Sequence, residues 1–505
     1  MSFSGAAVTP VSAPRRAMIT LTLMLATIIY ALDMTIANVA LPHMQGSFST
    51  TQDQISWVIT SYIVATAITT LVVGRLAELM GRRRLQLLAV AGFALTSVLC
   101  GLTETLLQMV AARILQGVFG APLIPLSQAI LLDINPRHKH GSAMAIWGMG
   151  VMLGPILGPT LGGYLTDLYH WRLIFLINVP VCAVALLGAY AFVPEAEATS
   201  KRHFDWLGFA SLALVIGTLQ TMLDRGERLD WLESPEVLIE LAIIAAALWV
   251  FFVHSASTRH PYISPLIWRD KNFALGICFA LIIGVVLVAT MILLPPFMQQ
   301  LRGFPVLTAG LVLSPRGLGT MLAMVVVGRL VDRFDPRLLI ASGFLMIAYS
   351  GWDMAGFNLE VAVADLVRTG FVQGVGLGFV FVPLSTITFA TLEPRFRTEA
   401  AGFFSLCRNL GSSIGVSIVI TVLTRSLRIN QAELAEHLTP FAAAARLPGS
   451  PAALEGLPAL ALWQHEVGRQ AAMIAYNNDF LLLAFGALGV VPLCFLLRRP
   501  HPLPA

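Results

Sequence analysis

The 505-residue chain is 57% hydrophobic and only 12% charged, with a mean hydropathy of +0.78. Soluble domains carry about 25% charged residues, so a soluble enzyme or binding module is excluded and a chain crossing a membrane many times is expected. The net charge of +4 is spread over many loops and speaks to topology, not to nucleic acid. After Arg15 and Arg16 the apolar run is too long for a cleavable signal peptide and reads as a first spanning helix. Runs of about 20 apolar residues can be placed fourteen times. They fall near 17–41, 54–76, 84–104, 106–131, 140–165, 171–193, 204–223, 236–256, 272–299, 307–330, 337–356, 361–390, 399–424 and 478–498. With the N-terminus inside, the loops on that side hold most of the 32 Lys+Arg, among them Arg82, Arg83, Arg84, Arg137, Lys139, Lys201 and Arg202. That excess places both termini in the cytoplasm.

The first span carries Asp33 with Thr35 and Asn38 close by. A carboxylate in lipid is costly unless paired, and such acids are functional by default. Asp33 is therefore read as a proton-carrying or cation-sensing acid facing a central cavity; the plainer reading bonds it to Asn38 or to neighbouring backbone. Between the second and third spans, Gly74 to Arg84 reads as a tight turn. There Gly74, Glu78, Gly81 and Arg82 are candidates for a latch between moving parts, beside ordinary arginine anchoring. In the fourth span Arg113 needs a partner, and Gln116 lies one helical turn away. Arg113 is read as tuning proton release from a nearby acid, or as a hydrogen-bonded clamp. The fifth span holds Gly150, Gly154, Gly158 and Gly162 at four-residue spacing, with Pro155 and Pro159 after two of them. This side-chain-free stripe lets another helix come close, and it is read as a bendable helix at a moving interface.

An internal repeat sets the architecture. Gly74-Arg75-Leu76-Ala77-Glu78 recurs as Gly328-Arg329-Leu330-Val331-Asp332 at an offset of 254. Gln116-Gly117 recurs as Gln373-Gly374 at 257, and Pro125-Leu126-Ser127 as Pro383-Leu384-Ser385 at 258. Three ordered echoes at nearly one offset predict two similar six-helix bundles. The expected fold is thus an all-α integral membrane protein with bundles over 1–195 and 263–505 and an inserted helix pair over 196–262. A polar outer segment is expected at about 425–478. Gly411 to Gly415 on the thirteenth span is a weaker echo of the glycine stripe. In the second bundle, Asp365 and Arg368 read as a neutralising pair, and Arg316, Glu399 and Arg408 are further ionisable groups in or near spans. The five cysteines (Cys100, Cys182, Cys278, Cys407, Cys494) lie far apart in apolar runs and read as core thiols, with neither metal-ligand nor disulfide spacing. Gly374-Val-Gly376-Leu-Gly378 sits mid-span without a preceding strand, so it is no dinucleotide loop.

These motifs together resemble the fourteen-helix drug:proton antiporter branch of the major facilitator superfamily, and within it the EmrB-like multidrug efflux permeases. The resemblance rests on Leu32-Asp33-x-Thr35-x-x-Asn38-Val39-Ala40-Leu41-Pro42, Gly74 to Arg84, Arg113-x-x-Gln116-Gly117, and Gly154-Pro155-x-x-Gly158-Pro159-x-x-Gly162-Gly163. Trp171-Arg172-x-x-Phe175-x-Ile177-Asn178-Val179-Pro180 and Met222-Leu223-Asp224-Arg225-Gly226 add to it. Glu78 departs from the Asp usual in that pattern, which keeps the charge on a longer arm. The resemblance implies a major facilitator fold and export of hydrophobic toxic compounds driven by inward proton flow across the bacterial inner membrane. It implies no cofactor beyond the proton gradient, and partnership with a periplasmic EmrA-like adaptor and an outer-membrane TolC-like channel. Asp33 and Arg113 are the expected proton-coupling pair. Asn38, Trp57, Tyr62, Gln116, Trp147, Met291, Phe297, Phe381, Phe404 and Arg408 are the expected cavity lining. Gly74, Glu78, Gly81, Arg82, Gly154, Pro155, Gly158, Pro159, Gly162 and Asp332 are the expected conformational motifs. The competing reading is a proton-coupled exporter of one endogenous metabolite, such as a fatty acid or siderophore. No HExxH, nucleophile elbow, P-loop or soluble signalling domain supports an enzyme or a sensor.

Overall fold

The computed structural model describes residues 12–136, 139–195, 204–258, 261–263, 265–331, 333–392, 396–437 and 457–498. Its described residues form helices and turns without a strand. The spanning helices of the first half are α1 (Ala13–Phe48), α2 (Gln52–Met80), α3 (Arg82–Leu102), α4 (Leu106–Ile134), α5 (His140–Leu168) and α6 (Leu173–Phe192). An additional pair follows, α7 (Trp206–Arg225) and α8 (Pro235–Ser257). The second half has α9 (Lys271–Leu301), α10 (Val306–Leu330), α11 (Pro336–Met354), α12 (Val363–Ala390), α13 (Arg397–Glu436) and α14 (Leu457–Val490). Thirteen of the described helices are long and apolar enough to cross a membrane. The remaining one, α11, has 19 residues and reaches about 28 Å at 1.5 Å per residue.

Local sequence explains the ends and breaks. Thr51 caps α2 and Thr105 caps α4, each in a reciprocal box with a glutamine three residues on, which satisfies two otherwise orphaned amides apiece. Gly81 alone joins α2 to α3, with φ +83°, a left-handed conformation that favours glycine. Pro122 interrupts α4, dividing it into Leu106–Gly120 and Leu123–Ile134. Large apolar side chains such as Leu107, Trp206 and Trp249 stand on the surface, where lipid and not water would meet them.

The two halves repeat each other's packing. In the first, α1 packs on α5; in the second, α9 packs on α13. The glycine ladder of α5 serves the first contact. Gly154 lies against the Ala31 backbone, Gly158 against Thr35 and Gly162 against Ile36, and Thr35 Oγ1 donates across to the Gly154 carbonyl at 3.1 Å. Gly411 and Gly415 lie likewise against the backbones of Leu281 and Val285 on α9. The ladder thus joins helices of one half, and a different face of α5 meets the other half. There Gly148 faces Met324, Ile156 fills the space over Gly317, Thr160 approaches Gly310, and Ser142 Oγ donates to the Gly328 carbonyl at 3.3 Å. A stripe visible in sequence shows that a close approach occurs, not which neighbour makes it. The second seam between halves is α2 against α13, where Gly74 meets the Glu399 backbone.

The pair α7 and α8 packs together, and α7 lies along α2 while also touching α13. Thr60 on α2 donates to Asp224, Gln220 Nε2 donates to Ser413 Oγ at 2.5 Å, and Trp231 Nε1 donates to Thr421 Oγ1 at 3.0 Å. The segment expected as a polar outer loop at 425–478 is helical at both described flanks. Helix α13 continues to Glu436 and α14 begins at Leu457, with Asn430 Nδ2 donating to the Ala471 carbonyl at 3.4 Å. Forty residues of α13 measure about 60 Å, roughly twice the hydrocarbon thickness. Polar composition there signalled water, while residues such as Leu, Glu, Gln and Ala keep good helix propensity. The stretch 438–456, and with it Asp332, Arg137, Lys201 and Arg202, lies outside the described residues.

Candidate functional site

Five helices of the first half contribute to the surroundings of one buried carboxylate. Asp33 on α1 and Arg113 on α4 are 0% and 1% exposed, and Arg113 Nη1 lies 2.6 Å from Asp33 Oδ2. Arg113 Nε donates to the Val58 carbonyl at 3.0 Å, and Nη1 also donates to Gln116 Oε1 at 2.7 Å. The guanidinium lies over the Tyr62 ring, 4.1 Å from its centroid, with the Phe175 ring at 5.6 Å. Gln116 Nε2 donates to Asp33 Oδ1 at 3.1 Å and to Ser97 Oγ at 2.9 Å; Asn178 Nδ2 on α6 donates to the same Asp33 oxygen at 3.1 Å. Cys100 Sγ closes the set at 3.4 Å from Gln116 Oε1.

Burying one member of such a pair alone costs several kcal/mol, so the ion pair holds only because each charge also finds hydrogen bonds. Here both carboxylate oxygens are satisfied, and the cation has a carbonyl, an amide oxygen and a ring face. Protonating Asp33 would remove the charge that compensates Arg113. The two charges are thus electrostatically interdependent, each compensated chiefly by the other.

The other expected residues distribute differently. Asn38 is exposed and donates to the Met34 carbonyl on its own helix at 3.3 Å, not to Asp33. Trp57 is 36% exposed beneath Arg225, whose guanidinium carbon is 5.5 Å from its ring centroid. Tyr62 and Gln116 belong to the charged network. Trp147 donates to Thr27 Oγ1 at 3.1 Å and stacks on Phe381 across the two halves, with ring centroids 6.1 Å apart. Phe297 packs with Phe357, Tyr476 and Phe480, and Phe404 with Phe389. Arg408 is buried, its backbone carbonyl against Gly284 of α9 and its charge interacting with Tyr30 of α1. The cavity between the halves, about 90 Å³, is lined chiefly by Met152, Ile156, Leu287, Met291, Arg316 and Leu377, with Pro159 among its walls. Of the aromatic and Met candidates, Met291 alone reaches it. Short-range packing claims bulky side chains first, and sequence cannot tell a packed ring from a lining one.

At the arginine-rich end, Asp133 of α4 binds two arginines. Arg82 of α3 pairs with it, and Arg397 Nη1 of α13 reaches its Oδ1 at 2.9 Å from the other half. Glu78, the acid read as a latch, pairs instead with Arg75 on its own helix at 2.8 Å. Arg83 and Arg84 reach Glu195 at the end of α6. Arg368 meets both Asp365, at 3.3 Å, and Asp353, at 2.9 Å. Sequence reasoning gave no role to Ser97, Asn178 or Asp133; Asn178 was part of a quoted motif, the other two carried no signal. It also passed over Asp479 on α14, a 0% exposed acid whose oxygens accept no hydrogen bond among the described residues.

The Major Facilitator Superfamily model matches residues 23–416. The chain is an EmrB-like member of the major facilitator superfamily. It is 33% identical over 496 residues to the fatty acid resistance protein FarB of Neisseria gonorrhoeae, covering 97% of this chain and 98% of that one. It is 34% identical over 478 residues to the multidrug export protein EmrB of Escherichia coli strain K12, covering 94% and 92%. The solved proton:xylose symporter XylE superposes with a TM-score of 0.60 at 15% identity, covering 95% of this chain and 97% of that one, a likeness of fold alone. This EmrB-like chain is therefore a multi-pass membrane transporter of small molecules.

Proposed function

We propose that the protein exports hydrophobic toxic compounds or drugs across the bacterial inner membrane by alternating access, exchanging them for inward-moving protons at Asp33. The observation that carries this reading is the buried Asp33–Arg113 pair with Gln116 and Asn178 around it. The relatives named as multidrug export proteins support the substrate class. In this mechanism a proton reaching Asp33 neutralises it and leaves Arg113 to its carbonyl, amide and ring contacts. The rearrangement acts on α1, and the close α1–α5 packing passes it to α5. The opposite face of α5 seals the cavity against α10, so a change at the acid bears on access to the substrate. Proton and substrate then oppose each other by linkage, with the cavity shared by both halves and the inserted pair bridging α2 and α13. Met152, Ile156 and Pro159 bring α5 into that cavity.

Both termini and the arginine-rich end face the cytoplasm in this reading, in line with the positive-inside rule. The proton gradient is the energy source, and no cofactor enters. The helical hairpin formed by the outer ends of α13 and α14 is the docking element for an EmrA-like adaptor feeding a TolC-like channel. Deletion of the outer hairpin should abolish adaptor co-purification and leave vesicle transport intact. The relation to FarB keeps export of a single metabolite as the competing reading, separated by the breadth of the transported panel. The test of the central reading is dye and antibiotic transport into inverted vesicles with and without an imposed pH gradient. Wild-type transport should follow the gradient, and Asp33→Asn should lower it at least tenfold (a change of about 1.4 kcal/mol or more in the coupled step). Gradient-dependent transport that survives in the variant would remove Asp33 from the proton path.

A further inference from the structure

The repeat places Arg316 of α10 where the first half has Tyr62, at the offset of 254 that also relates Gly328 to Gly74. The structure bears this out: Gly117 packs on the Tyr62 carbonyl, and Gly374 packs on the Arg316 carbonyl. Thr66 and Thr320, at the same offset, stand beside those two glycines. At the offset of 257 that relates Gln373 to Gln116, the counterpart of Arg113 is Gly370. The second half therefore also buries a cation in the turn that packs on the glycine after its glutamine, but on a different helix and without an acid partner among the described residues. Gln373 donates to Thr290 Oγ1 at 3.1 Å, and its buried carbonyl oxygen, the atom matching Arg113's acceptor, has no partner among the described residues.

Arg316 is 8% exposed and near the middle of α10, directly after Pro315. Its guanidinium donates to the Leu287 carbonyl at 3.0 Å, and among the described residues no carboxylate lies within 4.0 Å of it. Arginine stays charged in a protein and offers five donors in a planar fork. Within a span such a charge needs a partner, and a single carbonyl leaves most of it uncompensated. The side chain lines the cavity of about 90 Å³ between the halves, whose other walls are mostly apolar, among them Met152, Ile156, Leu287, Met291 and Leu377, with the hydroxyls of Ser314 and Thr320. Ionic complement and apolar walls define a ligand with an anionic head and a hydrophobic body. A cavity of that size holds the head group, and the body requires α5 and α10 to part.

We propose that Arg316 is the anion subsite of the transport cavity, binding the carboxylate of amphiphilic organic anions in preference to neutral molecules of the same shape. This rests on the export reading above and specifies its substrate class. The fork favours a carboxylate because two parallel N–H groups match its two oxygens.

The test is equilibrium binding of fluorescent pyrenebutanoate and of its primary amide to the purified full-length protein in nanodiscs at pH 8. The wild type should favour the carboxylate by about tenfold to a hundredfold, the range of a charged hydrogen bond. Arg316→Gln should bring the ratio to about one with amide binding kept, which also reports that the variant is folded. Arg316→Lys should keep part of the preference, retaining the charge but losing the fork. An unchanged ratio in Arg316→Gln would overturn the subsite. Equal binding of both probes by the wild type would overturn it too and leave export of hydrophobic compounds standing. Binding of neither probe would overturn both readings.

Discussion

In the first half, Gln116 gives its amide to Asp33 and takes a hydrogen bond from Arg113; in the second, Gln373 gives its amide to Thr290 and its oxygen receives nothing among the described residues. The backbones that hold these two glutamines repeat, with Gly117 and Gly374 pressed against equivalent turns of α2 and α10. The charges do not repeat. One half carries a closed acid–base pair, and the other has Arg316 facing a cavity with no carboxylate within ion-pair distance among the described residues. The same contrast holds at the arginine-rich end, where Asp133 binds Arg82 and Arg397, while its counterpart at the offset of 258 is Thr391. Duplication supplies two frames, and the ionisable groups differ between them; in the proposed mechanism the first frame exchanges protons and the second recognises substrate.

The comparison breaks most visibly at the arginine positions. Arg113→Gln strands the Asp33 carboxylate in a buried site and should lower stability by about 3–5 kcal/mol, read as a large fall in thermal midpoint. At the matching place Gly370→Ala meets only the Arg316 Cβ, at 3.8 Å. It should be neutral or gain up to about 1 kcal/mol from helix propensity. Equal losses at the two sites would deny the asymmetry. The glutamines sharpen the point at smaller amplitude. Gln116→Ala removes bonds to a charged pair and should cost about 2–3 kcal/mol, whereas Gln373→Ala removes one neutral bond and should cost about 1 kcal/mol; chemical denaturation of the two variants measures both.

The latch offers the smallest expected effect. Arg397 is 6% exposed and crosses from α13 to Asp133, but Asp133 keeps Arg82 when Arg397 is removed. Arg397→Ala should therefore shift the balance between conformations by about 1–2 kcal/mol without unfolding the protein. Spin labels placed at the arginine-rich ends of α2 and α13 would report a longer distance population in the variant. An unchanged distance distribution would make the contact ornamental to the conformational cycle.

How far the sequence could be read follows from what each signal encodes. Asp33, Arg113 and Gln116 were legible because charges are rare in spans and must pair, and the fourteen-helix architecture because hydropathy and the repeat are local. Ser97 and Asn178 were not, since uncharged polar residues are common in helices and their pairing is decided by tertiary packing. The glycine ladder of α5 was visible, yet its partner proved to be α1 of the same half, because spacing gives a face and not a neighbour. Glu78 looked like the latch acid by its position in the turn, but its arm folds back to Arg75 and Asp133 takes the two arginines. Arg316 is legible as an intramembrane charge; that it lacks an acid partner among the described residues is a fact of three dimensions. At the described flanks of 425–478, polarity signals departure from lipid and not the end of helix, and the helices continue to Glu436 and from Leu457.

The most direct test of proton exchange in the first half is proton release on substrate binding, followed with a pH indicator in lightly buffered, purified protein. The wild type should release protons when a transported dye is added, Thr290→Val in the second half should release them equally, and Asp33→Asn should release none. Proton release undiminished in Asp33→Asn would contradict the account and direct attention to Asp479, the other fully buried acid without an ionic partner among the described residues.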